Sequence, residues 1–130
     1  MRWEMIQLTL ENCLEFCEKF GRTPYFYITG GGPILHPKFW DLLDLLHLHD
    51  IKFTVMGNPF HLSGQVCHEL RAKGCEKYQL SIDRLRTAHD WFRKPGSYDC
   101  TIEKISTINQ SKRRHDNRFK NEPKRNPRNY

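Results

Sequence analysis

The fold is decided by the stretch YFYITGGGPILHP, residues 25–37 of this 130-residue chain. Its first five residues are aromatic or β-branched, and three glycines follow them, which is typical of a buried strand that ends in a tight loop. Pro37 then favours the start of a helix, because proline is tolerated in a helix's first turn. The apolar stripe of that helix consists of Phe39, Trp40, Leu43 and Leu46.

The same strand-and-helix unit recurs on both sides of this stretch. The predicted elements are a helix over 9–20 that begins at Thr9 and stops at Gly21, a strand over 25–29, the helix after Pro37, a strand over 51–56, a helix capped by Ser63 and ended by Gly74, a strand over 78–82, and a last helix marked by Ile102, Ile105 and Ile108 that ends near Gln110. Strands about 25 residues apart with helices between them indicate right-handed crossovers and a parallel sheet.

A parallel sheet of about three strands leaves two unpaired edges, whereas parallel sheets normally occur in larger, covered assemblies. The sequence therefore predicts an α/β fold in which residues 1–111 form part of a larger (β/α) barrel or doubly wound domain. The loop between the third strand and the last helix is rich in charged and aromatic residues.

The positive charge of the chain is concentrated at its end. Residues 112–130 hold eight of the 21 Lys and Arg residues and two of the 15 Asp and Glu residues, so the rest of the chain is neutral. Only Phe119 and Tyr130 are large apolar groups in this segment. We therefore expect residues 112–130 to be a basic, disordered tail.

Several classes of protein are disfavoured by composition. No apolar run approaches the roughly 18 residues of a membrane helix, and the N-terminus lacks the pattern of a signal peptide. The five cysteines are odd in number and fall on apolar stripes, which favours reduced thiols over disulfides. The sequence predicts a soluble cytoplasmic protein.

Ligand sites in such folds lie at the carboxyl ends of the strands. The first candidate is the loop Thr29-Gly30-Gly31-Gly32-Pro33, whose bare backbone can approach a ligand closely. It lacks the Lys-Ser/Thr of a phosphate-binding P-loop, and a plain tight turn is the alternative. The second candidate is Ser81 with Asp83, which alternate along the third strand and can bind a sugar or an amine; alternatively, Asp83 caps the next turn.

Two segments together resemble the radical S-adenosylmethionine (radical SAM) enzymes. Residues 27–40, YITGGGPILHPKFW, are similar to the family's TGGEPLLHPDF segment. Residues 78–83, YQLSID, followed by HDWFRKPGS at 89–97, are similar to its SIDG..HD..R..GSF segment. The resemblance covers about residues 9–110 and is closest to maturases that modify peptides and proteins.

The resemblance implies a partial radical SAM barrel and two cofactors, S-adenosylmethionine and a [4Fe-4S] cluster. The family cleaves S-adenosylmethionine reductively to a 5′-deoxyadenosyl radical, which abstracts hydrogen from a substrate. By resemblance, the loop of Thr29, Gly30, Gly31, Gly32 and Pro33 binds the methionine amino group, and Ser81 and Asp83 approach the ribose. Gly32 stands where the family usually has Glu, and Arg84 where it usually has Gly.

The family's CxxxCxxC cluster motif is expected before the first helix, where this sequence has only eight residues. Cys13 and Cys17 reproduce the first CxxxC, but Phe20 stands at the third ligand position. The fifth and sixth strands of the barrel are also missing. We therefore expect an incomplete domain, as a truncated or frameshifted gene would give, that does not bind the cluster by itself and is inactive alone.

Two other interpretations stay open. One is a non-catalytic interaction fragment, whose partners would include the missing barrel segments. The other is a nucleic-acid binder that uses the basic tail, although most such tails are only solvated. The intact relatives take a peptide or a small molecule as substrate.

Overall fold

The computed structural model describes residues 2–83 and 85–120, with side chains over 2–83 and 85–110. The elements in chain order are α1 (Trp3–Lys19), β1 (Tyr25–Ile28), a short 3-10 turn (Pro33–Leu35), α2 (Phe39–Leu48), β2 (Lys52–Met56), α3 (Gly64–Ala72), β3 (Cys75–Gln79), α4 (Arg86–Phe92) and α5 (Ser97–Lys120). The predicted α/β class is confirmed.

Within the described residues, the strands form one parallel sheet in the order β1-β2-β3. Tyr25 pairs with Lys52 and Ile28 with Val55, so β1 and β2 run in register along the whole of β1. The predicted parallel sheet is confirmed, and the open sheet is consistent with part of a radical SAM barrel. In the part of the chain that the structure describes, β1 and β3 each keep one free edge.

The two faces of the sheet differ in what covers them. One face packs against the helices through a cluster of buried side chains: Leu10, Phe39, Leu43, Leu46, Ile51, Phe53, Val55, Leu62, Cys67, Leu70 and Cys75. On the other face Tyr27 is 69% exposed. Thr54 is nevertheless buried, because the Tyr25 hydroxyl lies 2.7 Å from its Oγ1. A solvated face on a parallel sheet is unusual.

Helix α1 begins six residues before the predicted start at Thr9. The prediction was wrong because Thr9 is not a cap: its hydroxyl donates to the carbonyl of Met5, one turn earlier, at 2.7 Å. The predicted stop is confirmed. Gly21 has a φ of +60°, and the amide of Arg22 reaches back to the Cys17 carbonyl at 2.8 Å, as in a Schellman motif.

Helix α3 is bounded as the sequence predicts. The Ser63 hydroxyl accepts a hydrogen bond from the Val66 amide at 3.1 Å, which caps the first turn. Gly74 follows the last turn with a φ of +99°, a conformation that favours glycine. The predicted helix after Pro37 is also confirmed as α2.

Strand β3 spans Cys75–Gln79, three residues earlier than the predicted strand over 78–82. A β-bulge is the reason: Phe53 pairs with Cys75 and Thr54 with Lys77, so Glu76 has no partner on β2. The extra residue breaks the two-residue alternation from which strands are predicted. Ser81 and Asp83 consequently lie in the loop after β3 and not at its last positions.

The C-terminal third differs from the prediction in two places. Residues 86–92 form α4, where only a loop was expected. Helix α5 continues to Lys120, so its predicted end near Gln110 is wrong, while the disorder expected over 112–130 stays a prediction. Lysine and arginine are good helix formers. Residues 121–130 of the predicted tail lie outside the described residues, and the boundary at 111 stays a prediction.

Across residues 2–83 and 85–120, no helix combines the length and the apolar character needed to cross a membrane.

Candidate functional site

The glycine loop over 29–33 leaves the carboxyl end of β1 with an open backbone. Gly30 has a φ of +143°, and a Cβ placed on Gly30 or Gly31 would meet nothing within 4 Å. All five predicted loop residues line a cavity of about 580 Å³. Most of its other walls are apolar groups of α1, β1 and α2, including Ile6, Leu10, Phe26, Ile28, Phe39 and Leu42.

The loop after β2, which the sequence analysis did not select, contacts both of its neighbours. Asn58 Nδ2 donates to the Gly31 carbonyl at 3.3 Å, and the Asn58 carbonyl accepts a hydrogen bond from the Tyr78 hydroxyl at 3.1 Å. Gly57 is required here, because a Cβ at this position would overlap the Tyr78 hydroxyl. The loop thus connects the ends of all three strands.

A second, more polar cavity of about 390 Å³ lies beside Asn58. Its lining residues are Gly57, Asn58, Pro59, Phe60, His61, Ser81, Arg93, Lys94, Ser97 and Thr101. None of these residues is acidic, and Lys94 Nζ lies 4.8 Å from the centre of the Phe60 ring. The charged side chains of this lining, Arg93 and Lys94, are therefore both positive.

Ser81 lines this second cavity, but Asp83 does not. The Asp83 carboxylate accepts a hydrogen bond from Arg93 Nε at 2.5 Å, and this bond keeps the pKa of Asp83 below its usual range. The alternative that Asp83 caps the next turn is wrong, because α4 starts after Leu85 without a side-chain cap.

The HD..R..GS segment, which carried part of the family resemblance, is a bracing network. His89 is fully buried; its Nδ1 accepts a hydrogen bond from the Asp83 amide, and its Nε2 lies 3.1 Å from Ser97 Oγ. Asp90 accepts hydrogen bonds from the amides of Gly96 and Tyr98 at the start of α5, at 3.0 and 2.8 Å. The Tyr98 amide contributes most to lowering the pKa of Asp90.

The predicted site residues are thus divided between two neighbouring cavities. Residues 29–33 line the apolar cavity, Ser81 lines the polar one, and Asn58 links the two through Gly31. Sequence reasoning missed Asn58, His89 and Ser97. The signal for Asn58 was its place in Gly57-Asn58-Pro59 directly after a strand, the position where ligand loops occur.

The described residues do not fit a [4Fe-4S] cluster. They contain no group of three or more His, Cys, Asp or Glu side chains placed to hold a metal ion. Burial, with the neighbouring Cys17, raises the pKa of the Cys13 thiol, and burial raises the pKa of Cys75 to about 11. Cluster ligands are thiolates, so these environments oppose iron binding.

Comparison with known proteins identifies the class. The family model of the radical SAM superfamily matches residues 1–118, and the chain belongs to this superfamily. Members of the family generally use S-adenosylmethionine and a [4Fe-4S] cluster.

Among individual proteins, the chain is similar to the mycofactocin maturases MftC of mycobacteria. It is 25% identical to the protein of Mycobacterium ulcerans over 105 residues, which is 78% of this chain and 28% of the relative. With the protein of Mycolicibacterium smegmatis it shares 23% identity over 108 residues, 81% of this chain and 28% of the relative. The chain therefore spans little more than a quarter of these relatives. No solved structure matches the chain.

Proposed function

We propose that this chain is the S-adenosylmethionine-binding part of a radical SAM enzyme that modifies a peptide. The observation that carries the proposal is the position of Asn58, which holds the glycine loop through Gly31 and lines the polar cavity with Ser81. The two segments that resemble the family are thereby joined, through the loop after β2, at the carboxyl ends of the strands, where parallel α/β folds bind ligands. Superfamily membership and the similarity to maturases support it.

In this proposal each predicted residue offers a group that suits part of the cofactor. Backbone carbonyls of the Thr29–Pro33 loop would accept hydrogen bonds from the methionine ammonium, and Gly30 and Gly31 leave room for its approach. Ser81 would bond a ribose hydroxyl. Arg93 Nε already donates to Oδ2 of Asp83, so Asp83 would offer Oδ1 to the ribose. Bound S-adenosylmethionine supplies the alkyl group that radical SAM chemistry converts into a hydrogen-abstracting species.

Cluster binding falls outside what the described cysteines supply, because they belong to no group of three or more ligand side chains placed to hold a metal ion. We propose that further barrel segments provide the cluster ligands and pair with the free edges of β1 and β3. Edge strands with unpaired N–H and C=O groups accept additional strands readily. The free thiols at all five cysteines support a reducing, cytoplasmic location.

The test is binding of S-adenosylmethionine to the full chain, measured by equilibrium dialysis with radiolabelled ligand. We expect saturable binding of S-adenosylmethionine. Gly31→Leu should weaken this binding at least tenfold, because the leucine side chain would fill the open space beside the loop that the ligand is proposed to occupy. Gly64→Ala, at another glycine with open surroundings, is the matched control. Absence of saturable binding up to about 1 mM, or equal affinity of the Gly31 variant, would overturn the proposal.

A further inference from the structure

His89 is a buried polar residue that the proposed function does not use as a ligand contact. It lies on α4, is 0% exposed, and stands between the 81–83 segment and the first residue of α5. Both of its ring nitrogens have partners: the Asp83 amide at 3.1 Å and the Ser97 hydroxyl at 3.1 Å. One side chain therefore connects two segments that border the polar cavity.

The partner of Nδ1 determines the protonation of the ring. A backbone amide can only donate, so Nδ1 must accept from Asp83 and carries no proton. In the neutral imidazole the proton is then on Nε2. Nε2 therefore donates to Ser97 Oγ.

This tautomer leaves the hydroxyl hydrogen of Ser97 available to another acceptor. Ser97 is 2% exposed and lines the polar cavity together with Thr101, whose hydroxyl donates to the Ser97 carbonyl at 2.8 Å. Because the Ser97 oxygen already accepts from His89, its own hydrogen can be directed at a ligand in the cavity.

Each of the other hydrogen-bonding side chains in this region contacts either the 81–83 segment or the start of α5, but not both. Arg93 holds the Asp83 carboxylate, and Asp90 holds the amides of Gly96 and Tyr98. Among the described side chains, His89 alone hydrogen-bonds to both the 81–83 segment and Ser97.

We propose that His89 is a positioning residue for the ligand in the polar cavity: its Nδ1 fixes the segment that carries Ser81, and its Nε2–H turns the Ser97 hydroxyl so that it donates to an oxygen of the ligand. The inference rests on the proposed function, since the ligand is taken to be S-adenosylmethionine. Neither His89 nor Ser97 is among the residues that the family resemblance assigns to binding.

Two substitutions at His89 each keep one of its two hydrogen bonds and remove the other. In His89→Asn the amide oxygen replaces Nδ1 as the acceptor, whereas in His89→Gln the amide nitrogen replaces Nε2 as the donor. We expect the Asp83 amide to stay slow in hydrogen exchange in His89→Asn and to exchange at least tenfold faster in His89→Gln. His68→Asn, at an exposed histidine of α3, is the control.

Imidazole nitrogen NMR of the unmodified chain gives a test that involves no ligand. We expect His89 to be protonated at Nε2 and unprotonated at Nδ1, and the opposite tautomer would overturn the proposal. Equal exchange of the Asp83 amide in His89→Asn and His89→Gln would also overturn it.

Ligand binding then tests the role of Ser97. We expect Ser97→Ala to weaken binding of S-adenosylmethionine about fivefold, the effect of one lost hydrogen bond, with the Asp83 amide unchanged; Ser106→Ala, at an exposed serine of α5, is the control. Unchanged affinity in Ser97→Ala would overturn the assignment of Ser97. If the unmodified chain does not bind the ligand at all, the proposed function fails, while the tautomer and exchange measurements still decide whether His89 holds the 81–83 segment.

Discussion

The glycine loop over 29–33 and the segment over 81–101 both carry the family resemblance, yet they are held in opposite ways. One side-chain hydrogen bond, from Asn58 to Gly31, reaches the described loop, and two of its glycines have open space around them. The segment over 81–101 is braced by the buried groups of His89, Ser97 and Thr101. A segment can thus share a family motif either because its residues bind the ligand or because they stabilise the lining of the binding site.

The largest effect is expected where the two regions meet, at Gly57. Gly57→Ala should lower the free energy of unfolding by about 1–3 kcal/mol, because its Cβ overlaps the Tyr78 hydroxyl and forces the strand-end loops apart. Urea denaturation measures the change. Gly31→Ala is the control, with nothing within 4 Å of the added carbon. If adding Tyr78→Phe to the Gly57→Ala variant does not recover part of the lost free energy of unfolding, the overlap with the hydroxyl is not the cause of the loss.

The braced segment can be weakened at one buried hydroxyl. Thr101→Val keeps the shape of the side chain and removes its bond to the Ser97 carbonyl, which should cost about 1 kcal/mol. Thr107→Val is a matched control, since Thr107 makes the same contact one turn back at 3.4 Å and is only partly buried. Thermal unfolding of both variants checks the prediction. Equal losses would show that burial is not what distinguishes the braced segment.

Acid should weaken the braced segment before the glycine loop. The amides of Tyr98 and Gly96 lower the pKa of Asp90 from its ordinary value of 3.8, and Arg93 does the same for Asp83. A lowered pKa in the folded state means that the stabilisation is present above about pH 4 and is lost as pH falls through the folded value. Melting temperatures from pH 6 to about pH 2 should therefore fall less steeply in Asp90→Asn than in the unmodified chain. Parallel curves would contradict this origin of the acid sensitivity.

The smallest effect on stability is expected in the glycine loop itself. Asn58→Ala removes the bond to Gly31, which is 3.3 Å long and exposed, and should change the free energy of unfolding by less than about 1 kcal/mol. Its effect should appear instead as faster hydrogen exchange of the loop amides. Asn109→Ala, at an exposed asparagine of α5, controls for loss of an amide side chain. A loss as large as that of Gly57→Ala would mean that the loop is part of the folded core.

The order of strands and helices could be predicted because apolar periodicity and end signals such as Ser63, Gly21 and Gly74 act locally. Strand β3 was misplaced because the unpaired Glu76 depends on the neighbouring strand. The hydrogen bond of Asp83 to Arg93 could not be predicted either, because Arg93 lies ten residues away and contacts Asp83 only once α4 has formed. Features that depend on neighbouring residues could therefore be predicted from the sequence. Contacts that form only when the chain folds back on itself could not.

The bulge in β3 bears on how this protein tolerates changes in chain length. Cys75 faces the buried core, and Tyr78 packs against that core three positions later instead of two, because Glu76 occupies an extra position. A deletion of Glu76 would restore simple alternation and keep Tyr78 on the same face as Cys75. In β2, where pairing with β1 is regular, a one-residue deletion would move Phe53 or Val55 to the opposite face. Length variation among related sequences should therefore be found at position 76 and not within β2.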